Sequence, residues 1–146
     1  MTTNIPIITI DGPSGSGKGT ISKLLAEKLG WHFLDSGAVY RVLALSIIKN
    51  NVKLDDIPAL INLAKSLNAE FIDYPGLVQK IIFEKEDVTD AIRYEECGVM
   101  ASKVAAIAEV RAALTSFLQG FSRLPGLVAD GRDMGTKIFP NAQLKI

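Results

Sequence analysis

The first part of the chain combines a short apolar run with a longer stretch in which apolar residues recur at helical spacing. Residues 7–10 form a continuous β-branched run, which is typical of a strand buried on both faces of a parallel sheet. Several glycines follow at once, and Gly30 supplies a helix stop further on. The apolar face predicted for the intervening helix is formed by Ile21, Leu24, Leu25 and Leu29. This order of strand, glycine-rich loop and helix predicts an α/β domain.

The pattern continues with a second strand and two more helices. Residues 31–34 predict the strand, and a helix follows it until Asn50 and Asn51 close it. The apolar side of that helix carries Val39, Tyr40, Leu43, Ala44, Ile47 and Ile48. A third helix starts near Asp56, and Pro58 is tolerated in its first turn.

The second half of the chain predicts a small hairpin, two helices and a return to the sheet. A turn at 74–76 separates two short strand-like runs, which indicates an antiparallel hairpin near 68–85. We expect an α/β fold in which a parallel sheet, with helices on both faces, is formed by residues 1–36 and 122–146. Residues 37–121 are expected to be an inserted subdomain. The remaining elements are helices at about 93–106 and 109–121 and strands at 127–130 and 143–146.

Composition narrows the class of protein. The chain has 146 residues, a hydrophobic fraction of 48% and a formal net charge of zero, which gives no reason to expect nucleic acid or a membrane as a partner. Cys97 is the only cysteine, so no internal disulfide can form, as is usual in a reducing cytosol. The early apolar run is too short for a signal sequence or a membrane span. We expect a soluble, cytoplasmic monomer.

One motif carries specific chemistry. Residues 12–18, GPSGSGK, fit the G-x-x-x-x-G-K core of a phosphate-binding P-loop. Small residues let backbone N–H groups surround phosphate oxygens, and the following helix directs its positive end at the same place. Lys18 adds a charge for the β- and γ-phosphates. The residues expected to bind ATP are Gly12, Pro13, Ser14, Gly15, Ser16, Gly17, Lys18, Gly19 and Thr20.

The loop departs from the usual motif at one position. Gly19 stands where a serine or threonine normally follows the lysine, and Thr20 comes one residue later. That hydroxyl usually binds Mg²⁺, so the sequence leaves the metal ligand undetermined. Thr20 could instead serve the α-phosphate or hold the metal through water.

Three segments resemble the signatures of bacterial cytidylate kinases, which belong to the nucleoside monophosphate kinases of the P-loop class. They are residues 8–15 (ITIDGPSG), 34–41 (LDSGAVYR) and 129–136 (ADGRDMGT), and their order and spacing also match. The resemblance covers nearly all of residues 5–146. It implies phosphoryl transfer from ATP to CMP and dCMP with Mg²⁺ as cofactor. It also implies a monophosphate-binding insertion that includes a small sheet.

The resemblance also assigns roles to individual side chains. By position, Ser102, Arg111 and Asp133 match residues that read the cytosine base. Arg41 and Arg132 are expected to hold the acceptor phosphate, and with Lys18 they form the predicted catalytic set. Ser36 matches a residue near the monophosphate, and Arg93 is a further candidate there.

Two alternatives stay open. Another nucleoside monophosphate could be the acceptor, or the chain could bind nucleotide without transferring phosphate. Members of the resembled family continue past the position of Ile146 with lid helices and further arginines. We therefore interpret the chain as truncated before the lid and expect these 146 residues alone to have little or no kinase activity.

Overall fold

The computed structural model describes residues 4–13 and 17–146, which form two sheets and five α-helices. The strands are β1 (Ile7–Asp11), β2 (His32–Asp35), β3 (Ala69–Ile72), β4 (Lys80–Phe83), β5 (Glu86–Asp87), β6 (Leu127–Gly131) and β7 (Leu144–Lys145). The helices are α1 (Lys18–Leu29), α2 (Ser36–Lys49), α3 (Ile57–Lys65), α4 (Glu95–Ala105) and α5 (Ala108–Gln119). A 3₁₀ turn at Ala91–Arg93 and a π-helical segment at Met134–Ile138 complete the regular structure of the described residues.

The described residues form two compact units. The first contains the residues up to Ser36 together with Leu118–Ile146, and the second contains Gly37–Phe117. The boundary near position 118 lies inside α5, whereas the sequence placed it between 121 and 122. The last two residues of α5 therefore belong with the parallel sheet.

The first unit contains a four-stranded parallel sheet in the order β2-β6-β1-β7. Ile8 and Ile10 of β1 pack with Phe33 and Val128 on one face, where Ala26 of α1 completes the cluster. Thr9 and Asp11 alternate with these residues, so they face the other side of the sheet, where the π-helical segment lies. The predicted α/β fold with a parallel sheet flanked by helices is confirmed.

The helical period predicted for α1 is correct, but the predicted face is wrong. The buried residues of α1 are Ser22 and Ala26, whereas Ile21 and Leu24 are 62% and 53% exposed. Leu29 is also exposed, and Leu25 is partly buried against the core. Small side chains on the buried face let the helix lie close to the sheet, and this places the larger residues toward solvent.

The second unit contains a three-stranded antiparallel sheet in the order β3-β4-β5. The predicted hairpin is present, but its second strand begins at Lys80 rather than directly after the predicted turn at 74–76. Leu77 and Val78 are exposed and belong to the connecting loop. The short strand β5 was not predicted. It follows a turn at Glu84 and Lys85, both of which have positive φ angles.

The starts of α3 and α4 in the second unit are set by residues at their N-termini. Asp56 caps α3 as predicted, since its carboxylate accepts a hydrogen bond from the Ala59 N–H at 3.2 Å. The helix predicted from Arg93 begins two residues later, because residues 91–93 form the 3₁₀ turn and Tyr94 is extended. Within the described residues, none of the helices combines the length and the apolar character needed to cross a bilayer.

Candidate nucleotide site

The next element after β1 is α1, and Lys18 is its first residue. Gly17 precedes it with a φ of 81°, a left-handed conformation that glycine adopts without a steric penalty. The aliphatic stem of Lys18 lies beside Gly12, where an added Cβ would be 3.5 Å from Lys18 Cδ. The predicted phosphate-binding residues Ser14, Gly15 and Ser16 lie outside the described residues.

The amino group of Lys18 pairs with the carboxylate of Asp130, which is the fourth residue of β6. The Asp130 side chain is 5% exposed and that of Lys18 is 16% exposed. Burial raises the pKa of Asp130 above its ordinary value, the ion pair with Lys18 opposes this rise, and the charges of Asp35 and Asp11 add to it. The phosphate-loop lysine is therefore held by a desolvated anion at the end of the sheet.

The unusual glycine after the lysine lies against the same carboxylate. A Cβ at Gly19 would be 3.3 Å from Asp130 Oδ2, so a larger residue there would crowd the aspartate. Thr20 is exposed on the first turn of α1. Among the described residues, no group of three or more potential ligands could hold a metal ion. Mg²⁺ at a nucleotide usually needs only one or two carboxylates beside water and phosphate, and Asp130, with Asp35 opposite it in register, suits that donor set.

Ser36 lies at the end of β2, where α2 begins, and is 5% exposed. It lies against Gly131, the last residue of β6, where an added Cβ would be 2.0 Å from Ser36 Oγ. Only glycine leaves room for this contact. The predicted monophosphate residue is thus at the carboxyl end of the sheet, which is where ligands bind in open α/β sheets.

Arg132 and Asp133 follow β6 at the same end of the sheet, and both are exposed. Asp133 has a φ of 59°, which is uncommon for a residue with a side chain. Its side chain makes no capping hydrogen bond to the π-helical segment that follows.

Asp11 caps that segment from the neighbouring strand. Its two carboxylate oxygens accept hydrogen bonds from the backbone N–H groups of Met134 and Gly135, at 2.8 and 3.0 Å. The first unit thus brings together Lys18, Ser36, Arg132 and Asp133 from the predicted set, at the carboxyl ends of β1, β2 and β6.

The remaining predicted residues lie in the second unit. Arg41, on α2, donates from Nη1 to the carbonyl oxygen of Ile92 at 2.8 Å. Its guanidinium lies on α4 at Gly98, where an added Cβ would be 3.0 Å from Arg41 Nη2. The Cys97 thiol donates to the Arg41 carbonyl oxygen at 3.0 Å, and burial raises the pKa of this thiol. Arg41 is therefore half-buried and fixed at both its backbone and its side chain.

Arg111 and Ser102 lie near the junction of α4 and α5. Arg111, on α5, donates from Nη1 to the carbonyl oxygen of Ala105, the last residue of α4, at 3.0 Å. Ser102 is exposed on α4, three residues before Ala105. Arg93 is exposed at the end of the 3₁₀ turn.

The site residues that the sequence analysis missed include Asp130 and Asp11. Each ends, or nearly ends, a buried strand and precedes a glycine, and this acidic residue at the carboxyl end of an apolar run was an available signal. Their partners are 112 and at least 123 residues away along the chain, so the contacts themselves could not be predicted.

A buried strand, a glycine-rich loop and a helix that begins at lysine, next to a strand-end aspartate, define a P-loop nucleotide-binding fold. Comparison with known proteins specifies the family. The family model for cytidylate kinase matches residues 8–146, so the chain belongs to the cytidylate kinase family.

Several curated relatives share more than half of their aligned residues with the chain. The cytidylate kinase of Photobacterium profundum is 58% identical over 146 residues, covering 100% of this chain and 64% of the relative. That of Shewanella denitrificans is 56% identical, covering 100% of this chain and 65% of the relative. That of a Marinomonas species is 57% identical, covering 97% and 62%. The chain thus spans slightly less than two thirds of the length of these relatives.

Proposed function

We propose that the protein transfers the γ-phosphate of ATP to CMP and dCMP. Membership of the cytidylate kinase family and the grouping of Lys18, Ser36, Arg132 and Asp133 at one end of the parallel sheet support this function. The observation that carries the proposal is the position of Lys18 at the first turn of α1, beside the buried carboxylate of Asp130.

The donor side would use the phosphate loop and Lys18. The lysine leaves Asp130 for the β- and γ-phosphates, because these oxygens offer it a stronger partner than one carboxylate. Mg²⁺, when bound, neutralises charge on the β- and γ-phosphates. Asp130, released from Lys18, and Asp35 would hold it, directly or through water.

The acceptor side would use two arginines and three base-reading groups. Arg41 and Arg132 grip the monophosphate, since a guanidinium can bind phosphate oxygens in a bidentate manner. The Asp133 carboxylate accepts from the cytosine N4 amino group, as carboxylates do when they read cytosine. Ser102 and Arg111 offer donors to the N3 and O2 acceptors of the base, and Ser36 lies next to the phosphate.

The reaction itself demands little covalent chemistry from the protein. The acceptor phosphate is largely ionised near neutral pH, so no strong general base is required. Catalysis rests on in-line positioning and neutralisation of charge on the transferred group. Lys18, Arg41 and Arg132 would supply both.

Titration of the protein with CMP, dCMP, UMP and AMP tests the acceptor preference. We expect CMP and dCMP to bind at least tenfold more tightly than UMP, because uracil presents its O4 acceptor where cytosine presents the N4 amino donor to Asp133. Asp133→Asn should weaken CMP binding and leave ATP binding unchanged. Equal affinities for all four nucleotides, or a preference for AMP, would contradict the proposal.

The transfer step is measured by ADP formation with ATP, Mg²⁺ and CMP. This chain and the Photobacterium profundum relative should be assayed side by side. The low activity predicted for these 146 residues alone stays a prediction, and a rate equal to that of the relative would refute it. The cytoplasmic location and the monomeric state also stay predictions.

A further inference from the structure

Asp11 is the last residue of β1, and both of its carboxylate oxygens are used by a segment far along the chain. Oδ1 accepts from the Met134 N–H at 2.8 Å and Oδ2 accepts from the Gly135 N–H at 3.0 Å. These N–H groups begin the π-helical segment and have no intrahelical partner of their own. The carboxylate therefore clamps the start of this segment to the sheet.

The hydrogen bonds from Met134 and Gly135 to Asp11 also restrain the residues that precede Met134. Arg132 and Asp133 lie between the end of β6 and Met134, so their backbone is held at Gly131 by the sheet and at Met134 by Asp11. Asp133 adopts a left-handed φ of 59°, which is sterically unfavourable for a residue with a Cβ. Such a conformation persists only where its surroundings determine it, and the bonds to Asp11 provide that restraint.

Close packing against β1 also holds the π-helical segment in place. Gly135 lies over Thr9 of β1, where an added Cβ would be 2.7 Å from Thr9 Oγ1. The carbonyl oxygen of Asp133 accepts from Lys137 at 2.9 Å and Ile138 at 3.2 Å, which ties the strained residue to the helical turn. The Asp133 side chain takes no part in capping, because Asp11 does that work from the neighbouring strand.

The two strand-end aspartates at β1 and β6 thus have different tasks. Asp130 pairs with Lys18, whereas Asp11 is committed to backbone N–H groups through both oxygens. A carboxylate held in this way anchors a loop well because charge-assisted hydrogen bonds are short and strong.

We propose that Asp11 is a positioning residue, which fixes Arg132 and Asp133 in the conformation that receives the nucleoside monophosphate. This inference rests on the proposed function, since it assigns Arg132 and Asp133 to the acceptor. It adds that acceptor affinity depends on a carboxylate that contacts neither nucleotide.

The test is Asp11→Asn, which keeps the shape but offers only one acceptor oxygen and turns an amide N–H toward a backbone N–H. We expect CMP affinity, measured by calorimetric titration, to fall at least tenfold, while ATP affinity changes less than threefold. Asp56→Asn is the matched control, since Asp56 also accepts from a backbone N–H at a helix start. Because asparagine caps a helix about as well as aspartate, this control should leave thermal stability and both affinities nearly unchanged.

A double-mutant cycle distinguishes a positioning role of Asp11 from a general loss of stability. If Asp11 acts through the following loop, the loss caused by Asp11→Asn should be much smaller in an Asp133→Asn background than in the wild type. If Asp11→Asn fails to fold, Gly135→Ala displaces the same segment from Thr9 and should give the same selective loss of CMP affinity. Full additivity, or equal losses for CMP and ATP, overturns the inference. Failure of the wild type to bind CMP would instead contradict the proposed function.

Discussion

At the scale of single residues, the buried pair of Lys18 and Asp130 sets the energetics of the site. Asp130 is almost fully desolvated, and its charge is tolerated because Lys18 lies against it. Removing one member of a buried ion pair leaves the other charge buried without a partner. This lowers the free energy of unfolding more than replacing both charges would. The two partners are not equivalent, because the Lys18 side chain retains some exposure.

Lys18→Met is expected to lower the free energy of unfolding at neutral pH by about 3 kcal/mol, because Asp130 loses its cation. Asp130→Asn should cost less, since Lys18 can turn toward water. Urea denaturation measures both, and the double variant should recover part of the loss of Lys18→Met. An Asp130→Asn variant that is less stable than Lys18→Met would contradict this account.

The pH dependence of stability follows from the raised pKa of Asp130. The folded protein retains this proton to higher pH than the unfolded chain, whose carboxyl has the ordinary value of 3.8. The stability from this group is therefore present below pH 3.8 and is lost as pH rises through the folded pKa. The difference in unfolding free energy between wild type and Asp130→Asn should fall as pH is raised from acid to neutral. A constant or rising difference would show that Asp130 is not held in a desolvated place.

Thr9 offers a stabilising substitution. Its side chain is fully buried, and among the described residues its Oγ1 has no hydrogen-bond partner. Thr9→Val replaces this hydroxyl by a methyl of similar shape and should raise the unfolding free energy by about 1 kcal/mol. Thr89→Val is the control, because the Thr89 hydroxyl donates to Asp87 at 2.6 Å and accepts from the Ile81 N–H at 3.0 Å. That variant should be destabilised, and a destabilised Thr9→Val would contradict the prediction.

At the scale of elements, the carboxyl ends of the strands are packed too closely for larger residues. Gly131, the last residue of β6, lies against Ser36, which directly follows β2. A side chain at Gly131 would have to move either the strand or the helix start.

Gly131→Ala should therefore destabilise the protein by about 2 kcal/mol, the usual cost of overpacking. Gly12→Ala, at the end of β1, is the comparison, because its Cβ would meet Lys18 only at an ordinary contact distance of 3.5 Å. Thermal and urea unfolding of both variants measure the effect. Equal stability of the two variants would mean that the contact with Ser36 relaxes freely.

The elements also show what a sequence can predict. The apolar run at 7–10 gave a correct parallel strand, and Asp56 gave a correct cap, because these signals are local. The predicted buried face of α1 was wrong. The helix lies close to the sheet, and this favours Ser22 and Ala26 over larger residues on the buried side. The start of β4 at Lys80 depends on pairing with β3 and not on the apolar character of Leu77 and Val78.

At the scale of the whole molecule, motif and family suggested candidate site residues, but they did not predict the contacts that these residues make. Lys18, Ser36, Arg132 and Asp133 were all identified from sequence, and the first unit brings them to one end of its sheet. Asp11 and Asp130 were missed, since a carboxylate at a strand end acquires its role only when a distant segment folds against it.

The proposed function assigns Arg41 and Arg132 to the same pyrimidine monophosphate. Arg41 is preset by Ile92 and Gly98, whereas Arg132 is exposed after β6. Both arginines would contact one dianionic phosphate. Loss of one arginine should therefore weaken the interaction of the phosphate with the other.

Calorimetric titration of CMP against the wild type, Arg41→Ala, Arg132→Ala and the double variant tests this claim most directly. We predict that each single substitution lowers CMP affinity at least tenfold, that ATP affinity stays within about threefold, and that the two losses are not additive. Unchanged CMP affinity in either single variant, or strictly additive losses, would contradict the account.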